Sequence, residues 1–276
     1  MASSKPVGKG NPAVTWGMRI LVIGYLFFLV AWPTSLVAKN TFANGLQGIA
    51  DALNDPDVVH SLQLTAQVAV AAVLINLVFG VGVSLLLVRF DFPGKRILNA
   101  LIDVPLSVSP VVVGLALVLV YNGRYGWFGP WLEGNGLQVV FAKPGMIMAT
   151  AFVALPLVIR EVVPVLEDMG DDQEQAARSL GANAWQTFRR ITLPGIKWAI
   201  VYGVVLSLAR SLGEFGAVKV VAGNVGGETQ VATVLVQQKY QNFQQETAYS
   251  MSFMLAFAAV LCLIVVAMLR PKEEKE

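Results

Sequence analysis

Hydrophobic positions in this chain come in long runs rather than alternating with polar ones. Six stretches, Gly17–Ala38, Ser61–Val88, Ile97–Tyr121, Gly145–Val165, Ile196–Ala222 and Ala248–Leu269, carry few charges and are each long enough to cross a bilayer as a helix. Backbone polar groups in lipid need partners within their own segment, so the expected fold is all-α and transmembrane, with six helices. The first stretch holds Trp32 and Pro33 near its end. The second contains Gln63, Gln67 and Asn76 and exceeds the hydrocarbon thickness, which predicts tilt or a first turn outside it. The third opens with Asp103, Pro105, Ser107, Ser109 and Pro110 before the apolar run Val111–Val120. That order predicts a kinked helix inside a bundle, because lipid would penalise those groups.

The polar stretches between the spans have their own patterns. Phe42, Leu46, Ile49 and Leu53 recur at three- and four-residue spacing within Lys39–Asp57, which predicts a short amphipathic helix at the interface. Trp127, Phe128 and Trp131 lie among glycines in Asn122–Lys143 and fit an interfacial aromatic belt better than a ligand-stacking platform. Within Ala222–Thr247, Val231–Gln238 reads as a short re-entrant or surface helix. The segment 166–194 is the most informative. Its acidic residues Glu167, Asp168, Asp171, Asp172 and Glu174 precede Gln175 and favour a helix N-terminus. Ala176, Ala177 and Leu180 then form a small apolar face, Gly181 predicts a bend, and Trp185, Phe188 and Ile191 form a second face before Pro194. On pattern alone, a docking surface and an ordinary structured loop fit equally.

Composition places the bulk of the chain in lipid. Of 276 residues, 55% are hydrophobic and 14% charged, where soluble domains carry about a quarter charged. The net charge of +2 is too small to suggest a nucleic-acid partner. Cys262 is the only cysteine, which excludes a disulfide framework and a multi-cysteine metal site; the lone His60 reads as interfacial. No cofactor, metal site or catalytic residue is expected. The distribution of charge is informative where its sum is not. With the N-terminus inside, the inner flanks carry Lys5, Lys9, Arg19, Arg89, Lys95, Arg96, Arg178, Arg189, Arg190, Lys197, Arg270, Lys272 and Lys275, against Lys39, Arg124, Lys143, Lys219 and Lys239 outside. Both termini are therefore expected in the cytoplasm. A disordered tail 1–14, a transmembrane domain 15–270 and a C-terminal tail 271–276 complete the layout, with the first span retained rather than cleaved as a signal peptide.

Gln175-Ala176-Ala177, then Gly181, then Ile191-Thr192-Leu193-Pro194 resembles the cytoplasmic "Glu-Ala-Ala" loop of bacterial ABC-importer permease subunits, with Gln175 where the pattern has glutamate and Glu174 beside it. Val104–Gly114, Tyr121–Gly126 and Ala209–Ala217 are similar to the sulfate/molybdate branch. Arg160–Pro164 and Trp198–Gly203 resemble most the W-type permeases of sulfate/thiosulfate importers. The likeness covers nearly the whole chain after the tail. It implies a six-helix type I importer (MetI-like) fold in a bacterial cell membrane. It also implies a second, T-type permease subunit, two cytoplasmic ATP-binding subunits and an extracytoplasmic sulfate/thiosulfate-binding protein. Glu174, Gln175, Ala176, Ala177, Leu180, Gly181, Leu193 and Pro194 would then form the coupling surface for the ATPase. Leu180 would fill an apolar pocket there, while Trp185 and Phe188 pack under the bundle. ATP binding calls for a GxxxxGK[ST] loop, which this sequence lacks, so hydrolysis would belong to the partner.

Arg210 and Glu214 stand four apart within the fifth apolar stretch, where charges face a pore, a partner or each other. Two readings stay open: neutralisation at the permease–permease interface, or a partly offset arginine on the anion route. Asp103 would repel an anion if bare, so it is expected to be bonded near the inner surface. A secondary transporter would show paired repeats of broken helices, and a membrane-embedded enzyme would show a cluster of nucleophile, base or metal ligands; the sequence suggests neither. Within the importer reading, molybdate or tungstate is the alternative cargo.

Overall fold

The computed structural model describes residues 12–269, and among them every regular element is helical. The expected tails 1–14 and 271–276 lie outside the described residues, apart from the stretch from Pro12 to Val14, which opens the first helix. Helix α1 (Pro12–Leu26) passes through a π-turn at Phe27–Ala31 into α2 (Trp32–Thr41), making one apolar rod. Pro33 lies just after the π-turn, where a loosened hydrogen-bond ladder best tolerates a residue with no N–H. The rod's apolar side chains, among them Trp16, Ile20, Leu21 and Phe28, are exposed, and only α2 leans on the rest of the fold, through α14 (Gln245–Leu269).

A short helix, α3 (Gln47–Asn54), occupies the stretch expected to be amphipathic. Asp55 then caps α4 (Pro56–Arg89), accepting the N–H of Asp57 at 2.9 Å, with Pro56 at the first helical position. At 34 residues, α4 is about 51 Å long at roughly 1.5 Å per residue, well beyond the bilayer core. The predicted third span is a correction. It is two helices, α5 (Lys95–Ser107) and α6 (Pro110–Tyr121), bent by 112°, not one kinked helix. Pro110 supplies no N–H and pushes Ser109 into an extended conformation (ψ 133°), so the helix must stop and restart.

After the short α7 (Gly129–Gly134) comes α8 (Lys143–Met169), the hub of the fold, packed against α4, α5 and α6 and against two later helices. Helices α9 (Asp172–Ser179) and α10 (Ala184–Thr187) fill the polar segment, and a second π-turn, Phe188–Thr192, leads into α11 (Leu193–Leu212). The predicted fifth span is also corrected. It ends at Leu212, and Gly213–Phe215 turn the chain into α12 (Gly216–Val221). Glycines at 213 and 216 weaken helix continuation, and the Glu214 carboxylate takes the N–H of Ala217 in the first turn of α12 at 2.9 Å. A last short helix, α13 (Ala232–Gln241), precedes α14. Five described helices are long and apolar enough to cross a membrane, and the α5–α6 pair makes a sixth if counted as one broken span.

Close packing holds the bundle at its centre. Val158 of α8 is fully buried between two glycines. A Cβ on Gly80 of α4 would fall 2.8 Å from Val158 Cγ1, and one on Gly203 of α11 would fall 2.9 Å from Val158 Cα. Small residues therefore let three backbones approach, the mode available to helices that gain nothing from hiding apolar surface from lipid. Asn76 of α4 donates to the Ala151 carbonyl at 3.0 Å, so the buried amide is not left bare.

Candidate functional site

The segment between α8 and α11 is built to project. Asp172 and Glu174 lie in the first turn of α9, and Gln175 donates to Asp171 at 2.7 Å. The helix ends in a glycine cap. The N–H of Ala182 bonds to the Ala177 carbonyl and that of Gly181 to the Arg178 carbonyl, both at 3.0 Å, with Gly181 at φ +87°. This left-handed position explains the glycine, since no side chain crowds it. A reciprocal capping box starts α10: Asn183 accepts from the Gln186 N–H at 2.8 Å and its own N–H donates to the Gln186 side chain at 2.9 Å. Leu180 stands at the tip, 90% exposed, with Gln175 and Ala176 exposed beside it and Ala177 half-buried. Leu193 and Pro194 are exposed at the foot of α11. Of the second apolar face, Phe188 packs against the core cluster around Val158 and Ile196, whereas Trp185 stays exposed and only leans on Phe188 at 5.8 Å.

Glu174 faces the other way. Its side chain is 5% exposed and accepts Arg89 Nε at 3.1 Å, Arg89 Nη2 at 3.2 Å and the Thr192 hydroxyl at 2.8 Å. Arg89, 12% exposed, also donates to the carbonyls of Leu166 at 3.1 Å and Gly170 at 2.7 Å. One guanidinium thus satisfies the open carbonyl end of α8 while tying α4 to α9. The carboxylate passes that tie on to the π-turn before α11. Each buried charge has its opposite and its hydrogen bonds, the condition under which such burial is tolerable. Sequence patterning missed Arg89 and Thr192 here. Arg89 and Glu174 are 85 positions apart, and nothing local announces the pair.

The second candidate region is where the two broken spans meet. A Cβ on Gly216 would lie 3.1 Å from Pro110 Cβ, and one on Gly114 would lie 2.7 Å from the Ala217 carbonyl oxygen, so the α5–α6 break presses on the α11–α12 break. Arg210, in the last turn of α11, lies 2.8 Å from the Glu214 carboxylate. The arginine is 39% exposed and the glutamate 2%. Glu214 is thus anchored twice, to Arg210 and to Ala217, and its own carbonyl accepts the Thr233 hydroxyl at 2.8 Å. Buried hydroxyls with no hydrogen-bond partner among the described residues lie at Ser207 and Ser211 of α11 and at Thr150 of α8. Buried polar atoms in that state call for water or an ion. Asp103, four residues before the end of α5, is held by Arg160 of α8 through Nε at 3.1 Å and a second, shorter bond from Nη2. The ion pair expected for Asp103 exists. It lies one turn before the end of α5, about 12 Å along the helix from Lys95 at roughly 1.5 Å per residue. No group of three or more potential metal ligands occurs among the described residues.

Residues 76–272 match the family described as the binding-protein-dependent transport system inner membrane component. The chain belongs to that family. Relatives within it are similar along nearly their whole length. The sulfate transport system permease protein CysW of Synechococcus elongatus is 43% identical over 265 residues, 96% of this chain and 91% of the relative. CysW of Escherichia coli K12 is 41% identical over 266 residues, 95% and 91% of the two chains. The sulfate transport system permease protein CysT of the same strain is 36% identical over 222 residues, 80% of each. Among solved structures, a chain of a bacterial alginate ABC transporter, in complex with an alginate-bound periplasmic protein, superposes with a TM-score of 0.77 at 16% identity, covering 92% of both chains. That likeness fixes the fold, which this chain shares with a chain of that transporter. Family and fold together make this chain a multi-pass membrane transport permease.

Proposed function

We propose that the chain is one of two permease subunits of an ATP-driven sulfate importer. It forms half of the anion route and receives the power stroke through the α9–α10 tip. The cargo follows from relatives named as sulfate permeases at 41–44% identity over almost the entire chain; no molybdate permease need be invoked. A T-type permease, two ATP-binding subunits and an external sulfate/thiosulfate-binding protein complete the machine. The basic flanks put both termini and the 166–194 segment in the cytoplasm.

One observation carries the coupling role: an almost fully exposed leucine at the tip of a helix–glycine–helix turn whose underside is bolted to α4 and α8 by Arg89 and Glu174. A rigid mount transmits displacement, and an apolar tip offers something to bury. Gln175, Ala176, Ala177, Leu180 and Gly181 then form the face the ATPase meets, Leu193 and Pro194 its base, and Glu174 the internal anchor. The test is co-purification of the ATPase with Leu180→Asp. The ATPase is expected to be lost while the variant remains folded in the membrane, because the new charge would be buried unpaired at the contact. Wild-type recovery of the ATPase would reject the docking role.

In this reading Arg210, its charge part-balanced by Glu214, serves the anion route rather than the permease–permease interface. A guanidinium open on one side keeps donors for a passing oxyanion.

A further inference from the structure

Two ion pairs flank the crossing of the broken spans, and Arg210–Glu214 is the one on the proposed anion route. Asp103–Arg160 shares its design. In both pairs the arginine is the more exposed partner: 57% for Arg160 against 36% for Asp103, as 39% against 2% for Arg210 and Glu214. Both pairs lie within about one helical turn of a break: Asp103 four residues ahead of Ser107, and Arg210 two residues ahead of Leu212. The depths differ. Arg160 is about 13 Å along α8 from Met169, and Arg210 about 25 Å along α11 from Leu193, at roughly 1.5 Å per residue. Both distances start from the ends of the helices that carry the docking segment, so the two arginines stand at successive levels of one membrane thickness.

A half-exposed charge at that depth does not face hydrocarbon; it faces water or protein. Asp103 takes up Arg160 Nε and Nη2, which leaves Nη1 and its two N–H donors without a partner among the described residues. Val104, next in sequence to Asp103, lines an apolar groove with Val108, Val112 and Phe152. A dianion passing such a groove needs a cation, and a cation left bare would hold it too long.

We propose that Arg160, half-neutralised by Asp103, is a second station for the transported tetrahedral oxyanion, on the docking-segment side of the crossing from Arg210. The inference rests on the sulfate-importer reading and extends it to a residue pair. The anion passes from one partly balanced arginine to the next, and each carboxylate recaptures its guanidinium as the anion leaves.

The experiment uses the assembled importer in vesicles, measuring radiolabelled sulfate uptake and binding-protein-stimulated ATP hydrolysis. Arg160→Gln is expected to lower uptake by about tenfold or more, the size of one lost charge-assisted hydrogen bond, with ATP hydrolysis retained. Asp103→Asn frees Arg160 to hold the anion, so maximal uptake and KM should fall together. The deciding variant is the charge swap, Asp103→Arg with Arg160→Asp, which rebuilds the pair with its charges exchanged. As a station, it assembles but does not transport. Restored uptake in the swap, or normal uptake in Arg160→Gln, would reduce the pair to a structural clasp or a fixed contact with the partner permease and overturn the proposal. Wild-type vesicles separate the two levels: no sulfate uptake there refutes the importer reading itself, whereas normal wild-type uptake with an unaffected Arg160→Gln refutes the station alone.

Discussion

The underside of the proposed docking segment, 166–194, and the crossing of the broken spans use the same chemistry to opposite ends. At the docking segment, Arg89 and Glu174 are both buried, and the guanidinium spends itself on Glu174 and two carbonyls. At the crossing, Arg210 and Arg160 each rest on one carboxylate and keep an open side. A closed network fixes position, because any displacement strands a buried charge. An open pair holds position loosely and keeps donors free. An importer of the proposed kind, transmitting force at one end and passing an ion through its middle, needs both.

The contrast is sharpest in Glu174→Ala. Removing the carboxylate leaves Arg89 buried without its charge partner, at a cost of about 3–5 kcal/mol. Little assembled complex and a protease-sensitive 166–194 segment are expected, read by membrane-fraction yield and limited proteolysis. Wild-type yield would mean that the network is not closed. The crossing should respond differently. Arg210→Met with Glu214→Gln removes a charge and its counter-charge together, so the complex should assemble, while sulfate uptake per assembled complex falls about tenfold, the equivalent of one lost charge-assisted contact. Near-normal uptake would return Arg210 and Glu214 to a purely structural role.

Gly181→Ala probes the mount without touching charge. A Cβ at φ +87° meets no neighbour, so the penalty is conformational alone, about 1–2 kcal/mol. Weaker ATPase retention at unchanged membrane yield is expected, measured by titrating the ATPase onto the purified permease pair. The smallest effect belongs to Asp55, outside the spans. The Lys239 ammonium, bonded at 2.7 Å, holds its carboxyl below the ordinary 3.8, outweighing the opposing effect of burial. A depressed carboxylate contributes its full stability above 3.8 and loses it as pH falls through the folded-state value. Lys239→Met should therefore melt lower than wild type near neutrality and converge with it in acid, as followed by thermal unfolding across that range.

Hydropathy made the spans legible, because lipid leaves a chain few options. The glycine turn of the docking segment was legible too, since Gly181 and the polar-to-apolar switch around it are local signals. The breaks were only half visible. Ser109-Pro110 and Gly213-Glu214 mark weak points, but whether a helix bends or stops there depends on what packs against it, here Gly216 on Pro110. The ion pairs that organise both regions were the least legible. Arg160 lies 57 positions from Asp103, and the meeting of α5 with α8 that joins them is a property of the fold. Glu174 illustrates the same gap: its position in the segment is readable, but its direction, inward to Arg89, is not.

ATP-driven uptake of radiolabelled sulfate into vesicles tests the central claim most directly. The vesicles would hold this chain with a T-type permease and the ATPase, with the sulfate-binding protein supplied on the outer side. Uptake should require ATP and the binding protein, and should disappear with Leu180→Asp although the chain remains in the vesicle membrane. Sulfate uptake no greater than in vesicles lacking this chain, or uptake undiminished by Leu180→Asp, would contradict the account.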